Sequence, residues 1–194
     1  MLGEFVPADY FRRLERHELC RDDRPLEVDL GCGDGSFLVA MAAHFPERDF
    51  LGVERLLGRA RKVGRKLVRN RLENGRVLRL ESRYVVEWLL PEDSVSRLHL
   101  LCPDPWPKVR HHRRRLVQAE FLNAVQRVLV PGGEFLFMTD HPEYFEWVSE
   151  KVAGCVGLDG LEWLEDSFFY PKTDFQELWE SEGKSMWRLR CRKP

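Results

Sequence analysis

Two stretches of this chain carry residue types that can do chemistry together. The first is Asp29-Leu30-Gly31-Cys32-Gly33-Asp34-Gly35, which follows a short apolar run. Glycines at alternate positions let the backbone turn tightly and let a ligand come close to the main chain. Glu54 closes the next apolar run, 19 residues past Gly35. A carboxylate there can accept hydrogen bonds from both hydroxyls of a ribose. A glycine cluster alone makes only a turn, but a strand before it, a helix after it and an acid on the next strand point to a nucleoside cofactor. The second stretch is Pro103-Asp104-Pro105-Trp106-Pro107-Lys108-Val109-Arg110-His111-His112-Arg113-Arg114-Arg115. Its prolines stiffen a loop and fix its direction. Asp104 and Trp106 then stand beside the nucleoside, with Trp106 open to a base or to the loop's own packing. The basic residues that follow suit phosphates.

The choice of cofactor turns on two residues. A dinucleotide fingerprint wants glycine where Ser36 stands, and here the glycine comes one residue early. Asp29 would oppose a pyrophosphate but suits the ammonium group of a methionine moiety. DLGCGDG therefore resembles the S-adenosylmethionine loop of class I methyltransferases. Gly31, Gly33 and Gly35 would cradle that cofactor. Glu81, after the third strand, is placed to meet the adenine amino group. Its plain alternative is a solvated acid at a strand end.

These residues need elements to hold them, and the chain alternates between strand and helix after a short helical N-terminal segment. Strands are expected at 26–30, 49–53, 76–80, 96–102 and 134–139, and helices at 36–44, 56–72, 84–90, 116–129 and 142–152. Two further strand-like runs, 161–169 and 186–191, are separated by a polar loop. This alternation implies right-handed crossovers and an α/β fold. The expected architecture is Rossmann-like, as in class I methyltransferases: a mostly parallel sheet with helices on both faces and an antiparallel edge. Residues 1–25 read as the N-terminal segment and 26–194 as one methyltransferase domain. Both chemical stretches fall at carboxyl ends of strands, where such sheets bind ligands.

Composition narrows the class. With 43% hydrophobic and 32% charged residues, the 194-residue chain reads as soluble and globular. It has no apolar run of membrane-spanning length and no signal-peptide layout at its start, so a cytoplasmic location and no membrane partner are expected. Its five cysteines are widely spaced without a CxxC, and its six histidines form no HExxH, so reduced thiols and no metal are expected. The net charge of -1 hides a polarised distribution. Eight Lys or Arg and no acid lie between Arg55 and Arg71, and five more lie between Lys108 and Arg115. Each run reads as a nucleic-acid surface or, plainly, as a solvated face.

CPDPWPKVRHHRRRLV, with DLGCGDG, FLGVE and TDHPEYF, resembles the bacterial tRNA (guanine-N7)-methyltransferase family, from about Asp29 to the end. The PDPWPK…RH…RR string is specific, whereas the glycine loop is common to many methyltransferases. The resemblance implies transfer of a methyl group from S-adenosylmethionine to N7 of a guanosine in tRNA, in the variable loop. It implies cofactor contacts at Asp29, Glu54, Glu81 and Asp104, with Asp104 also catalytic. It implies substrate contacts at Lys108, Asp140 and Thr173-Asp174-Phe175-Gln176. Arg113 and Arg114 are expected to join Lys108 and part of the 55–71 helix on phosphates. The chain is expected to act as a monomer or homodimer. It departs from the family with Asp for Glu at 29, Glu for Asp at 81, Cys for Phe at 102 and Gln for Glu at 176. The last change loses a charge. The segment before Leu26 is short, so RNA contacts made by a longer N-terminal arm are expected to be missing.

Three rival readings have specific weaknesses. A methyltransferase of exocyclic amines or protein amides would carry a DPPY-type loop, but here the second proline, Pro107, comes after Trp106 and the basic string is foreign to that motif. An NAD-dependent oxidoreductase is disfavoured by Ser36. A non-catalytic RNA-binding relative would not need Asp29, Glu54, Glu81 and Asp104 together.

Overall fold

The computed structural model describes residues 3–163 and 168–194. Eight strands form one sheet in the order β1-β4-β3-β2-β5-β6-β8-β7. These are β1 (Glu4–Phe5), β2 (Leu26–Leu30), β3 (Asp49–Val53), β4 (Gly75–Leu78), β5 (Val95–Leu101), β6 (Leu129–Thr139), β7 (Asp159–Leu161) and β8 (Trp187–Arg192). Strands β1 to β6 pair in parallel, and β8 pairs antiparallel with β6 and β7. The order reverses between β2 and β5, where an α/β sheet opens a crevice for ligands.

Helices connect the strands: α1 (Arg16–Leu19), α2 (Ser36–His44), α3 (Leu57–Arg69), α4 (Ser82–Tyr84), α5 (Ala119–Val128), α6 (Pro142–Ala153) and α7 (Asp174–Ser181). A π-turn, Val85–Leu89, continues α4, and a 3-10 turn spans Val109–Arg114. Helix α3 is sharply two-faced. Ala60, Val63, Gly64 and Leu67 are buried at helical spacing, while its basic residues point outward. Helix α6 starts on Pro142, which needs no amide partner there, and His141 caps it by accepting from Tyr144 N.

The sheet divides the core in two. Leu26, Val28 and Leu30 of β2 pack on one side with Leu98 and Leu100 of β5, α5 and α6. On the other side α2 and α3 bring Phe37, Leu38, Met41, Val63 and Leu67 together with Leu101 and Met138. Side chains alternate across a strand, so the residues between those of β2 and β5 share this second side. They are polar: Glu27 and Asp29 on β2, paired in register with Arg97 and His99 on β5.

Beyond shifts of one to three residues at element ends, such as α5 starting at Ala119 rather than 116 and the π-turn within the helix expected at 84–90, the chain departs from the sequence expectations in four places. Residues 4–5 form β1 and pair with β4 at the sheet edge, and the helix before β2 is only Arg16–Leu19. Strand β6 begins at Leu129 and runs through Pro131-Gly132-Gly133. The preceding helix has already ended at Val128, so those residues lie inside the strand and do not stop the helix. The run expected at 161–169 overlaps a strand only at Leu161, and residues 164–167 lie outside the described residues. The polar loop before β8 contains α7.

Candidate active site

At the end of β2 the amides of Gly31 and Cys32 both donate to the Val53 carbonyl, at 2.8 and 3.0 Å. This ties the glycine loop to β3. Gly31 has φ +72° and a Cβ there would meet nothing within 4 Å, so the loop presents bare backbone to open space. Gly35 has φ +81° for a different reason: a Cβ would lie 2.8 Å from a methyl group of Val63, and only glycine lets the loop seat against α3.

Two acids stand below this loop. Asp29 is 4% exposed and Glu54 5%. Burial, and then the charge of Glu54, push the Asp29 carboxyl up to about 7. Among the described residues no cation forms an ion pair with either acid. Glu54 accepts a hydrogen bond from the Leu56 amide at 2.8 Å, which fixes one carboxylate oxygen at the start of α3. Burial, followed by these two acids, also raises the Cys32 thiol well above its ordinary value, so it stays protonated.

The loop opens into a cavity of about 350 Å³. Asp29, Gly31, Gly33 and Phe37 line one side, Arg59 and Lys62 of α3 another, and Thr173, Asp174, Phe175 and Leu178 the far wall. Asp34 joins two of these walls. Lys66 Nζ donates to it, and Lys62 lies 3.4 Å away. Burial opposes ionisation of Asp34, but hydrogen bonds from Lys66 and from the Ser36 amide outweigh it and hold this carboxyl below the usual range. A buried acid without a cation, a bare glycine cradle and a second acid at the next strand end fit a ligand with an ammonium and vicinal hydroxyls. S-adenosylmethionine has both.

The proline-rich loop leaves β5 at Cys102, whose amide donates to the Met138 carbonyl at 2.8 Å. Cys102 and Trp106 both adopt the left-handed region, at φ +51° and +44°. Non-glycine residues held there cost about 1–3 kcal/mol each, so the surroundings must enforce this path. Arg115 does so from behind. It is wholly buried, its Nε donates to the Pro105 carbonyl at 2.9 Å and its Nη2 to Glu143 at 3.0 Å. Its guanidinium lies 5.0 Å from the ring of Tyr144 and 5.1 Å from that of Trp147. Asp104 stands exposed between Pro103 and Pro105.

The candidate residues separate into groups. Asp29, Gly31, Gly33, Thr173, Asp174 and Phe175 meet in one cavity, whereas Gly35 and Glu54 support its floor from outside the lining. Glu81 is exposed and caps α4, accepting from the Tyr84 amide at 2.9 Å. Asp140 follows β6, adds to burial in raising the Cys102 thiol to about 12, and lies 3.9 Å from Lys184. Gln176 is buried and turned away: its amide donates to Glu180 at 2.7 Å, where a glutamate would face a like charge. Lys108 and Arg113 are exposed and have no ion pair among the described residues. Arg114 lies over the Trp106 ring at 4.9 Å, and His111 meets the same ring edge-on, so Trp106 packs within its own loop. Sequence reasoning missed Phe37, Arg59, Lys62 and Leu178. For Arg59 and Lys62 the signal was their i, i+3 spacing on the basic helix, which puts both on one side.

The comparisons agree with this architecture. A family model described as a putative methyltransferase matches residues 23–189. The fold and site thus define a methyltransferase, the class whose cofactor is S-adenosylmethionine. A curated tRNA (guanine-N(7)-)-methyltransferase of Syntrophotalea carbinolica is 34% identical over 84% of this chain and 71% of its own length. One from Pseudomonas putida is 35% identical over 96% of this chain and 77% of its own. The chain belongs to the tRNA (guanine-N(7)-)-methyltransferase family. Among solved structures the antibiotic-resistance methyltransferase Kmr matches with a TM-score of 0.64 at 18% identity, covering 99% of this chain and 96% of that one. A SAM-dependent O-methyltransferase from Thermotoga maritima matches with a TM-score of 0.58 at 16% identity, covering 92% and 62%. These likenesses support the fold. Among the described residues no helix is long and apolar enough to cross a membrane, and no cluster of His, Cys, Asp or Glu could hold a metal ion.

Proposed function

We propose that this chain methylates N7 of a guanosine in tRNA, in the variable loop. Asp104 carries the reading: it is a carboxylate fixed on a strained loop at the end of β5, the strand next to the one that leads into the glycine loop. The names of the relatives supply the substrate, and the PDPWPK…RH…RR string supports the same acceptor.

When bound, S-adenosylmethionine supplies an electrophilic methyl group on a positively charged sulfur. Guanine N7 already carries an in-plane lone pair and no proton, so the chain need not supply a base. Its tasks are alignment and charge stabilisation. Asp29 holds the ammonium of the cofactor and Glu54 its ribose hydroxyls. Asp104 accepts from N1–H and the amino group of the guanine. The ring becomes cationic as it is methylated, and the Asp104 charge favours that change. Lys108 and Arg113 contact phosphates, joined by Arg114, and Asp140 and residues Thr173, Asp174 and Phe175 bound the acceptor. The test is incubation of the protein with labelled methyl donor and unmodified tRNA, followed by nucleoside identification. Label in 7-methylguanosine is expected; label only in another nucleoside, or none, would overturn the reading.

A further inference from the structure

The polar side of the central strands holds a buried hydrogen-bonded chain that the methyl-transfer chemistry does not use. Glu27 and His99 are 0% and 1% exposed. Glu27 accepts from Arg48 Nη1 at 2.6 Å and pairs with His99 Nε2 at 2.9 Å. The other ring nitrogen, His99 Nδ1, lies 2.9 Å from the Tyr170 hydroxyl. Phe37, a cavity-lining residue, packs against both rings, with centroids 5.1 Å from His99 and 4.9 Å from Tyr170.

Charge fixes the direction of this chain. Burial pushes Glu27 up, but the His99 hydrogen bond and the guanidinium groups of Arg97 and Arg48 outweigh it and hold the carboxyl at about 2. Burial drives His99 down against the pull of Glu27, so the imidazole is neutral. A neutral imidazole has one donor and one acceptor. The ionised Glu27 can only accept, so Nε2 carries the proton and the Tyr170 hydroxyl donates to Nδ1. Three residues beyond Tyr170 the chain reaches Thr173, which caps α7 and is the first of the residues that form the far wall of the cavity. Helix α7 has only eight residues, too few to stand without such an anchor.

We infer that Glu27, His99 and Tyr170 form a positioning relay that fixes the start of α7 over the glycine loop and so completes the cofactor cavity. Tyr170 and His99 are positioning residues: they act on the cofactor through the wall formed by residues 173–178. The binding readout rests on the cavity being the cofactor's; the exchange readout does not.

The test compares Tyr170→Phe, His99→Gln and the double variant by amide hydrogen exchange of the free protein, with S-adenosylhomocysteine titration alongside. Tyr170→Phe removes only the hydroxyl. His99→Gln keeps a donor for Glu27 but removes the ring nitrogen facing Tyr170. Each single variant should speed exchange across 174–181 by about fivefold, the scale of one neutral hydrogen bond. The double variant should add nothing further, because both changes break one link. Amides of β2 and β5 should not change. Affinity for S-adenosylhomocysteine should fall in step with the α7 exchange. Unchanged exchange in Tyr170→Phe, effects that multiply in the double variant, or equal acceleration in β2 and β5 would each overturn the relay. If even the unaltered protein binds no S-adenosylhomocysteine, the cofactor reading fails while the exchange result still decides the relay.

Discussion

Asp29 and Glu54 on the proposed cofactor side are 4% and 5% exposed, whereas Asp104 on the proposed acceptor side is exposed. The first pair sits on regular strand ends and is stressed electrically, with Asp29 raised to about 7. Asp104 sits on a loop stressed in its backbone, between Cys102 and Trp106 at positive φ, with buried Arg115 bracing Pro105. A small ligand can be swallowed, so on the proposed reading its recognition is built from buried charge that it neutralises on entry. A tRNA cannot be swallowed, so on the proposed reading its side supplies placement in the open. The same contrast divides the basic runs. Lys62 and Lys66 of α3 engage Asp34 beside the cavity, while Lys108 and Arg113 face solvent.

The contrast is broken most sharply at Asp104. Asp104→Asn keeps the shape and removes the charge. Single-turnover methylation should fall about 100-fold or more, the scale of lost electrostatic contacts at reacting centres. Cofactor affinity and melting temperature should move little, because the residue is exposed. If activity falls only in step with melting temperature, Asp104 is structural and Asp140 becomes the carboxylate to test.

The opposite pattern is expected at Glu54. Glu54→Ala should weaken cofactor binding by about 1–3 kcal/mol, the value of hydrogen bonds to a charged group. Titration calorimetry reads this directly, and unchanged affinity would remove Glu54 from the ribose site.

Asp29 sharpens the cofactor side further through pH. Its folded value of about 7 lies above the ordinary 3.8, so the free protein binds this proton more tightly than the unfolded chain does. This group's stabilising effect is therefore full below about pH 4 and is lost as pH rises toward 7. A cofactor ammonium prefers the ionised form, so binding should tighten from pH 6 to pH 8 and release a proton. Asp29→Asn should flatten that part of the profile. An equal pH dependence in both proteins would show that Asp29 does not face the ammonium.

The smallest effect belongs to the exposed basic residues. Log affinity for tRNA should fall linearly with log salt, and Arg113→Ala should lower the slope by about one. An unchanged slope would make Arg113 a solvated residue.

How much of this was legible depends on the signal each element carries. Strands 26–30 and 49–53 and helix 36–44 match expectation to the residue, because an apolar strand, a glycine turn and the apolar helix that follows it each have a distinct pattern. The two-residue β1 carries no pattern at all. Helix α7 is short and polar, yet Thr173 followed by Gln176 is a capping signature, and the Thr173 hydroxyl does accept from the Gln176 amide at 3.0 Å. The alternation in Leu26-Glu27-Val28-Asp29-Leu30 already puts both acids on one face. What could not be read was their partners, since His99 and Tyr170 are distant in sequence. Arg115 reads as one more member of a basic run. Only its burial against Tyr144 and Trp147 separates it from Arg113 and Arg114.

The central claim is that the methyl group goes to N7 of one tRNA guanosine. The most direct measurement uses an unmodified tRNA whose variable-loop guanosine is replaced by 7-deazaguanosine, which has a C–H where N7 stands. The account predicts that the parent tRNA is methylated and cleaves at that guanosine after reduction and aniline treatment, while the substituted tRNA accepts no methyl group. Equal methylation of the two would contradict it.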